Sequence, residues 1–160
     1  LVIARRDFVA GRSKKLPVML NYETIMKKDS MYNTPPVFAI YIVGKVAKWL
    51  KKQGGLAVME KINREKAALL YGMLDAHPDF YRGRADKASR SIMNVTFNLP
   101  TAELEAKFVA EGKTRGLGGL KGHRSVGGIR ASIYNAMPLE GCEALAQFME
   151  QFYQANHTEK

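Results

Sequence analysis

Cysteine is almost missing from this 160-residue chain: Cys142 stands alone. A single thiol excludes an internal disulfide and fits a reducing, cytoplasmic compartment. Cys142 falls in an apolar helical pattern, where a buried, inert thiol is expected. Histidine is scarce too. His77, His123 and His157 are isolated from one another, so no metal-ligand spacing exists and no metal is expected. No apolar run approaches the roughly 20 residues needed to span a bilayer, so no membrane partner is expected. The opening LVIARRDF is too short and wrongly flanked for a signal peptide. Neither a G-x-G-x-x-G turn after a strand nor a G-x-x-x-x-G-K-[ST] loop occurs, which excludes phosphate cradling by a P-loop. There is no Ser-His-Asp order with a nucleophile elbow, and no histidine lies near Cys142. His77, before Pro78 in a polar turn, and His157, in the tail, read as inert.

Acidic residues are also few: 15 Asp and Glu against 25 Lys and Arg, for a net charge of +10. That balance favours anionic partners, whether nucleic acid, anionic lipid or small phosphorylated acids. The charge is spread along the chain, with neither an RNP pattern nor a recognition helix, so nucleic acid is not the expected partner. A basic anion- or nucleic-acid-binding α+β module without catalysis is the alternative reading. A stand-alone structural or regulatory domain is a third. The 46% hydrophobic content is that of an ordinary globular domain, and a chain this long can bury roughly two-thirds of its unfolded surface.

The first six residues, LVIARR, read as a short strand ended by Asp7 and a polar stretch through Lys15. With no initiator methionine, a chain opening in a strand reads as a piece of something longer. A loop with some strand character follows. Thr34 then suits an N-cap and Pro35 the first helical position, predicting a helix over 35–52. Phe38, Ile42, Val46 and Trp49 (or Leu50) mark its apolar side, Lys45, Lys48 and Lys52 a solvated face, and Gln53-Gly54-Gly55 its end.

Met59, Ile62, Leu69 (or Leu70) and Met73 predict a second helix over 55–76, stopped with the help of Pro78. HPDFYRGRADKASR reads as a polar connection. In IMNVTFNL, Met93, Val95 and Phe97 alternate with Asn94, Thr96 and Asn98, as in a half-buried strand. Pro100 and Thr101 open a third helix ending near Gly112 or Gly116. LGGLKGH is a candidate short strand. IRASIYN is a clear one, with Ile129, Ala131 and Ile133 on one face. Pro138 starts a last helix with Leu145, Met149 and Phe152 (or Tyr153) at helical spacing. This order predicts an α+β fold: a small antiparallel or mixed sheet covered by helices.

KGHRSVGGIRASIYN, residues 121–135, is the most informative segment. Lys121, His123, Arg124 and Arg130 surround the pair Gly127-Gly128, whose missing Cβ atoms let backbone approach a ligand. Arg130 alternates against Ile129 and Ala131, so it projects from the face opposite the helices. A guanidinium fixed there can hold a carboxylate through two parallel bonds. His123 and Arg124 precede it on a loop where a phosphate can be held. A solvated basic loop beside a surface arginine fits the same pattern. Asn33 and Thr34 form a second candidate, at a helix start where free N–H groups favour an anion; simple capping fits equally.

SMYNTPP followed by FAIYIVGKVAKWLKKQGG, then MEKINREKAALLY, RSIMNVTFNL and KGHRSVGGIRASIYNAMPLEG, resembles the phosphoserine aminotransferase family. That family belongs to the fold-type-I, class V pyridoxal-phosphate aminotransferases, and the resemblance runs in order through nearly the whole chain. It implies a cytoplasmic homodimer using pyridoxal phosphate to exchange an amino group between glutamate and 3-phosphohydroxypyruvate. The products are 2-oxoglutarate and 3-phosphoserine, for serine biosynthesis and in some members also pyridoxine biosynthesis. It implies that Arg130 clamps the substrate carboxylate and that His123 and Arg124 hold the phosphate or distal carboxylate. Asn33 and Thr34 would reach the cofactor phosphate of the neighbouring subunit. It also implies that 1–34 end a large cofactor-binding domain, 35–53 form a connecting helix and 54–160 a small C-terminal domain. The Schiff-base lysine is expected upstream, so no catalytic residue is expected in this chain, which alone should be inactive.

Overall fold

The computed structural model describes residues 1–10, 12 and 15–157. The polar stretch through Lys15 therefore lies partly outside the described residues. Two compact units divide between Trp49 and Leu50, and each is described by itself.

In the first unit, residues 1–5 form no strand, and Arg6–Val9 make a single helical turn, α1. The expected strand is corrected on simple grounds: a strand needs a neighbour for its backbone groups, and no described strand pairs with this segment. The expected loop contains a 3-10 turn at Val18–Leu20 and a short helix, α2, at Tyr22–Met26. Asn21 caps α2 by accepting from Glu23 N–H at 3.0 Å and Thr24 N–H at 3.4 Å.

The next helix, α3, spans Val37–Lys52. It starts two residues later than expected, and Thr34 is not its cap: the amide of Ile40 donates to the Pro36 carbonyl at 3.1 Å. The cause is the paired proline. Pro36 pushes Pro35 away from helical ψ, so the helix can begin only beyond it. Its apolar side is exposed, with Phe38 at 77% and Val46 at 55% accessibility.

The second unit follows the expected order. Gly54 and Gly55, at φ +100° and +81°, separate α3 from α4, Gly55–Ala76. The connection after α4 is less polar than the sequence suggested: Phe80 and Tyr81 are buried, and Arg82–Gly83 form an edge strand, β1. Asn94–Asn98 is β2 and Ile129–Ser132 is β3, in a three-stranded antiparallel sheet of order β1-β2-β3. Register pairs Thr96 with Arg130 and Val95 with Ala131. LGGLKGH contributes one isolated bridge, Lys121 to Ile129, rather than a strand; the positive φ of Gly119 breaks extension just before it. Between β2 and β3 lies α5, Ala102–Thr114, capped by Thr101, whose hydroxyl accepts from Leu104 N–H at 3.3 Å. The last helix, α6, is Leu139–Asn156.

Alternation along β2 and β3 sends Val95, Phe97, Ile129 and Ala131 to one face, where they are almost fully buried. They meet Leu70 and Leu74 of α4, Phe108 of α5, and Leu145, Met149 and Phe152 of α6. Each such side chain contributes roughly 1.5–3 kcal/mol on burial. Phe108 packs edge-on to Phe152 at 5.0 Å between ring centres, and the Tyr81 hydroxyl donates to the Met149 carbonyl at 2.7 Å. Cys142 belongs to this core, and burial raises its thiol pKa, as expected for an inert thiol. Helices on one face leave Asn94, Thr96, Asn98, Arg130 and Ser132 on the other.

Candidate functional site

The segment entering β3 folds back on itself. Gly122 N–H donates to the Gly128 carbonyl at 2.8 Å, and the amides of Val126 and Gly127 both donate to the His123 carbonyl. Gly127 and Gly128 take φ of +70° and +73°. A Cβ at Gly128 would stand 2.8 Å from the Phe97 carbonyl oxygen, and one at Gly122 2.1 Å from that of Gly127. The glycines therefore serve close approach of the protein's own backbone.

Two side chains that the sequence did not single out hold this loop. Glu105, in the first turns of α5, accepts from Gly128 N–H at 3.1 Å with one oxygen. Its other oxygen accepts from the Asn98 amide at 2.6 Å and Leu99 N–H at 3.3 Å. Arg84 donates to Asn98 Oδ1 at 2.7 Å and to the Val126 carbonyl at 2.8 Å. Their only signal in sequence was charge among many charged residues; the pairing exists only once β2, α5 and the loop meet.

The structure places His123 and Arg124 together on this loop, where with Lys121 and Gly122 they form one wall of a cleft of about 510 Å³. The opposite wall is the face of α5 carrying Ala102, Ala106, Val109 and Ala110, with Lys113 at its end. The Ser125 backbone N–H donates to His123 Nδ1 at 3.3 Å, and the Ser125 hydroxyl lies 2.7 Å from the same nitrogen. A backbone amide can only donate, so Nδ1 is the acceptor and the ring proton sits on Nε2, available to an anion. Lysine, histidine and arginine at one cleft wall give an anion site its donors and its field.

Arg130 does not line that cleft. It stands half-buried on the polar face of β3, across from Thr96. Its Nε is buried and has no hydrogen-bond partner among the described residues. A buried guanidinium N–H left unpaired is costly and marks a place for an oxygen acceptor. Ser132 donates to Asn94 Oδ1 at 3.2 Å beside it. Side-chain hydrogen bonds to Asn94 and Ser132, and then the Arg130 charge, lower the pKa of the exposed Tyr134 phenol.

Asn33 and Thr34 lie in the other unit and are exposed. The Asn33 amide donates to the Thr34 carbonyl at 3.2 Å. His77 is half-buried, stacked on Tyr153 at 3.7 Å and 3.3 Å from Glu150. Those contacts are structural. Among the described residues no cluster of three or more His, Cys, Asp or Glu side chains is placed to hold a metal.

Lys66 is the lysine whose environment the sequence concealed. It is fully buried on α4, and its Nζ donates to the carbonyls of Ile133 at 3.1 Å, Tyr134 at 2.9 Å and Met137 at 3.0 Å. Asn63, one turn earlier, donates to Asn135 Oδ1 at 2.8 Å. All three ammonium protons are engaged, so this lysine fixes the turn after β3 and has none to offer a ligand.

Comparison with known proteins gives the family. The family profile for aminotransferase class-V matches residues 6–145. The phosphoserine aminotransferase of Desulfotalea psychrophila is 59% identical over 152 residues, covering 95% of this chain and 42% of that protein. That of Geobacillus kaustophilus is 56% identical over 152 residues, with the same coverage of 95% and 42%. The solved phosphoserine aminotransferase from Bacillus circulans subsp. alkalophilus superposes with a TM-score of 0.87 at 53% identity, covering 96% of this chain and 43% of that one. The pyridoxal-phosphate-bound phosphoserine aminotransferase of Trichomonas vaginalis gives 0.77 at 42% identity, covering 86% and 39%. The chain thus spans about two-fifths of the length of these relatives. On the family match, which covers most of its residues, the chain belongs to the class-V aminotransferases.

Proposed function

We propose that this chain is the substrate-clamping part of a phosphoserine aminotransferase. The complete enzyme exchanges an amino group between glutamate and 3-phosphohydroxypyruvate, giving 2-oxoglutarate and 3-phosphoserine. The observation that carries this reading is Arg130, a guanidinium with a buried, unpaired Nε on the open face of β3. Both amino donors carry an α-carboxylate, and a fixed guanidinium is the group that binds one bidentately. His123, with its proton on the free nitrogen, and Arg124 supply the second anion site, for the phosphate or the distal carboxylate.

The cofactor is pyridoxal phosphate, which when bound supplies the electron sink and carries the amino group. The residues present fit one end of it. Asn33 and Thr34 offer exposed amide and hydroxyl donors suited to its phosphate, in our reading that of the neighbouring subunit of a homodimer. They do not fit its covalent anchor: Lys66, the one fully buried lysine among the described residues, is consumed by three carbonyls. On the resemblance to the family, the anchoring lysine belongs to sequence upstream of Leu1, and this chain alone is inactive. On the same reading residues 1–34 end the cofactor-binding domain, 35–53 connect and 54–160 form the small domain. We place the enzyme in the cytoplasm and in serine biosynthesis, which in some members of the family is joined by pyridoxine biosynthesis, and without a nucleic-acid partner.

In the complete enzyme, Arg130→Ala should lower kcat/KM about tenfold or more for both glutamate and phosphoserine, since a charged bidentate contact is lost. An unchanged value for either donor removes Arg130 from the clamp. The purified 160-residue chain, mixed with pyridoxal phosphate, should show no protein-bound visible band that phosphoserine then shifts. Such a band would place the anchor within these residues.

A further inference from the structure

We propose that Glu105 is a positioning residue for the cationic loop, acting with Arg84 through the backbone of Gly128, Val126 and Gly127; this rests on the reading of His123 and Arg124 given above. A carboxylate on the floor of a cleft walled by Lys121, His123 and Arg124 would oppose any anion entering it, unless it were already committed. Glu105 is committed. Its two oxygens take three donors, from Gly128, Asn98 and Leu99, and no Lys or Arg pairs with it among the described residues. The loop is thereby tied at its C-terminal foot to α5 and β2. From the other side Arg84 takes the Val126 and Gly127 carbonyls, at 2.8 and 3.4 Å, and shares Asn98 with Glu105. His123 and Arg124 directly precede these anchored residues, and the His123 carbonyl accepts from the Val126 and Gly127 amides in the same turn. The loop's cations are thus held at one height above α5 by groups engaged in hydrogen bonds to the protein itself.

Glu105→Gln keeps size and shape but turns one oxygen into an NH₂, which faces either Gly128 N–H or the Asn98 and Leu99 donors as donor against donor. In the complete enzyme, saturated with pyridoxal phosphate, this variant should raise KM for phosphoserine about tenfold, and raise the inhibition constant of inorganic phosphate by a similar factor. Saturating kcat and the melting temperature should change little. Gly128 amide exchange should quicken while the core amides of β2 and β3 keep their protection. Arg84→Ala, a truncation at an exposed position, should give the same KM-only pattern and carries the test if the Gln variant fails to fold. Unchanged KM and phosphate inhibition in both variants, or equal falls in kcat and stability, overturns the positioning role. The underlying reading fails separately: in that case His123→Ala and Arg124→Ala leave phosphate inhibition untouched in the otherwise wild-type enzyme.

Discussion

Replacing Lys66 by methionine isolates the energetics of the turn that follows β3. Methionine fills much the same volume but donates nothing to Ile133, Tyr134 and Met137, whose carbonyls stand 3.1, 2.9 and 3.0 Å from Nζ. A buried carbonyl left without its donor costs about 1–3 kcal/mol. Three of them set an upper range that two effects reduce. The ammonium no longer has to be desolvated, which returns several kcal/mol, and Tyr134 and Met137 lie at exposed positions where water can replace the donor. The expected net loss is about 2–4 kcal/mol, and the variant should melt about 10 °C lower.

Urea unfolding followed by far-ultraviolet circular dichroism across pH 6–10 adds a sign. Burial lowers the Lys66 pKa from 10.5, with Cys142 acting weakly the other way. A base whose folded pKa is depressed is protonated more in the unfolded chain, so stability should rise with pH between the folded value and 10.5. Lys66→Met should lack that rise, and subtracting its curve from the wild type removes the common titrations of the tyrosines. A variant as stable as wild type would refute the claim that these three bonds fix the turn. A wild-type excess that falls with pH in this window would refute burial as the dominant cause.

Three further outcomes are expected. Gly128→Ala should destabilise the second unit by more than about 2 kcal/mol, since it combines a left-handed φ with a carbonyl 2.8 Å from the new Cβ. Gly127→Ala, with the same φ but open space, should cost about 1 kcal/mol, and equal melting of the two would remove the contact argument. Asp75, held down to about 2 by its two bonds from Arg90, should contribute stability above pH 3.8 that disappears as pH falls through about 2; Asp75→Asn should flatten acid unfolding in that range. The exposed apolar side of α3 should make the isolated chain bind an apolar dye, and Phe38→Glu with Val46→Glu should abolish most of that signal.

The second unit was legible because its elements carry their own periods. Val95 and Phe97 alternate with polar residues, Ile129 and Ala131 do likewise, and glycine or proline stands at both ends of α4 and α5 and at the start of α6. What escaped was pairing that no local pattern encodes. Tyr81 sits in a run of charged residues, yet its ring is fully buried because Met149 offers its hydroxyl an acceptor. Lys66 reads as one more solvated cation between Glu65 and Ala67, and only the return of the chain at 133–137 supplies its carbonyls. In the first unit the opening strand failed because apolar residues can be extended without a partner to pair with. The start of α3 failed because two consecutive prolines restrict one another. For the proposed site, residue type and glycine context are what mark His123, Arg124 and Arg130. Glu105 and Arg84 were invisible because their role is to hold backbone.

The placement of the cationic loop follows from how few residues separate it from the core. Phe97 is buried and the adjacent Asn98 bonds Glu105 and Arg84; Phe108 is buried and lies one turn from Glu105 on α5; Ile129 is buried and the adjacent Gly128 receives the Glu105 bond. On a helix, residues three apart share a face, so the ring that seats α5 in the core also fixes the depth of its carboxylate. A shift of α5 produced by shrinking Phe108 would therefore travel to His123 through one side chain and one glycine. Arg130 is fixed differently, by the ladder of β3 against β2 and by its own N–H, which donates to the Leu120 carbonyl at 2.8 Å. Phe108→Leu in the complete enzyme should accordingly weaken phosphate inhibition more than it weakens recognition of the shared α-carboxylate. Equal losses at both would mean that the two anion sites move as one body, and that α5 has no separate hold on the loop.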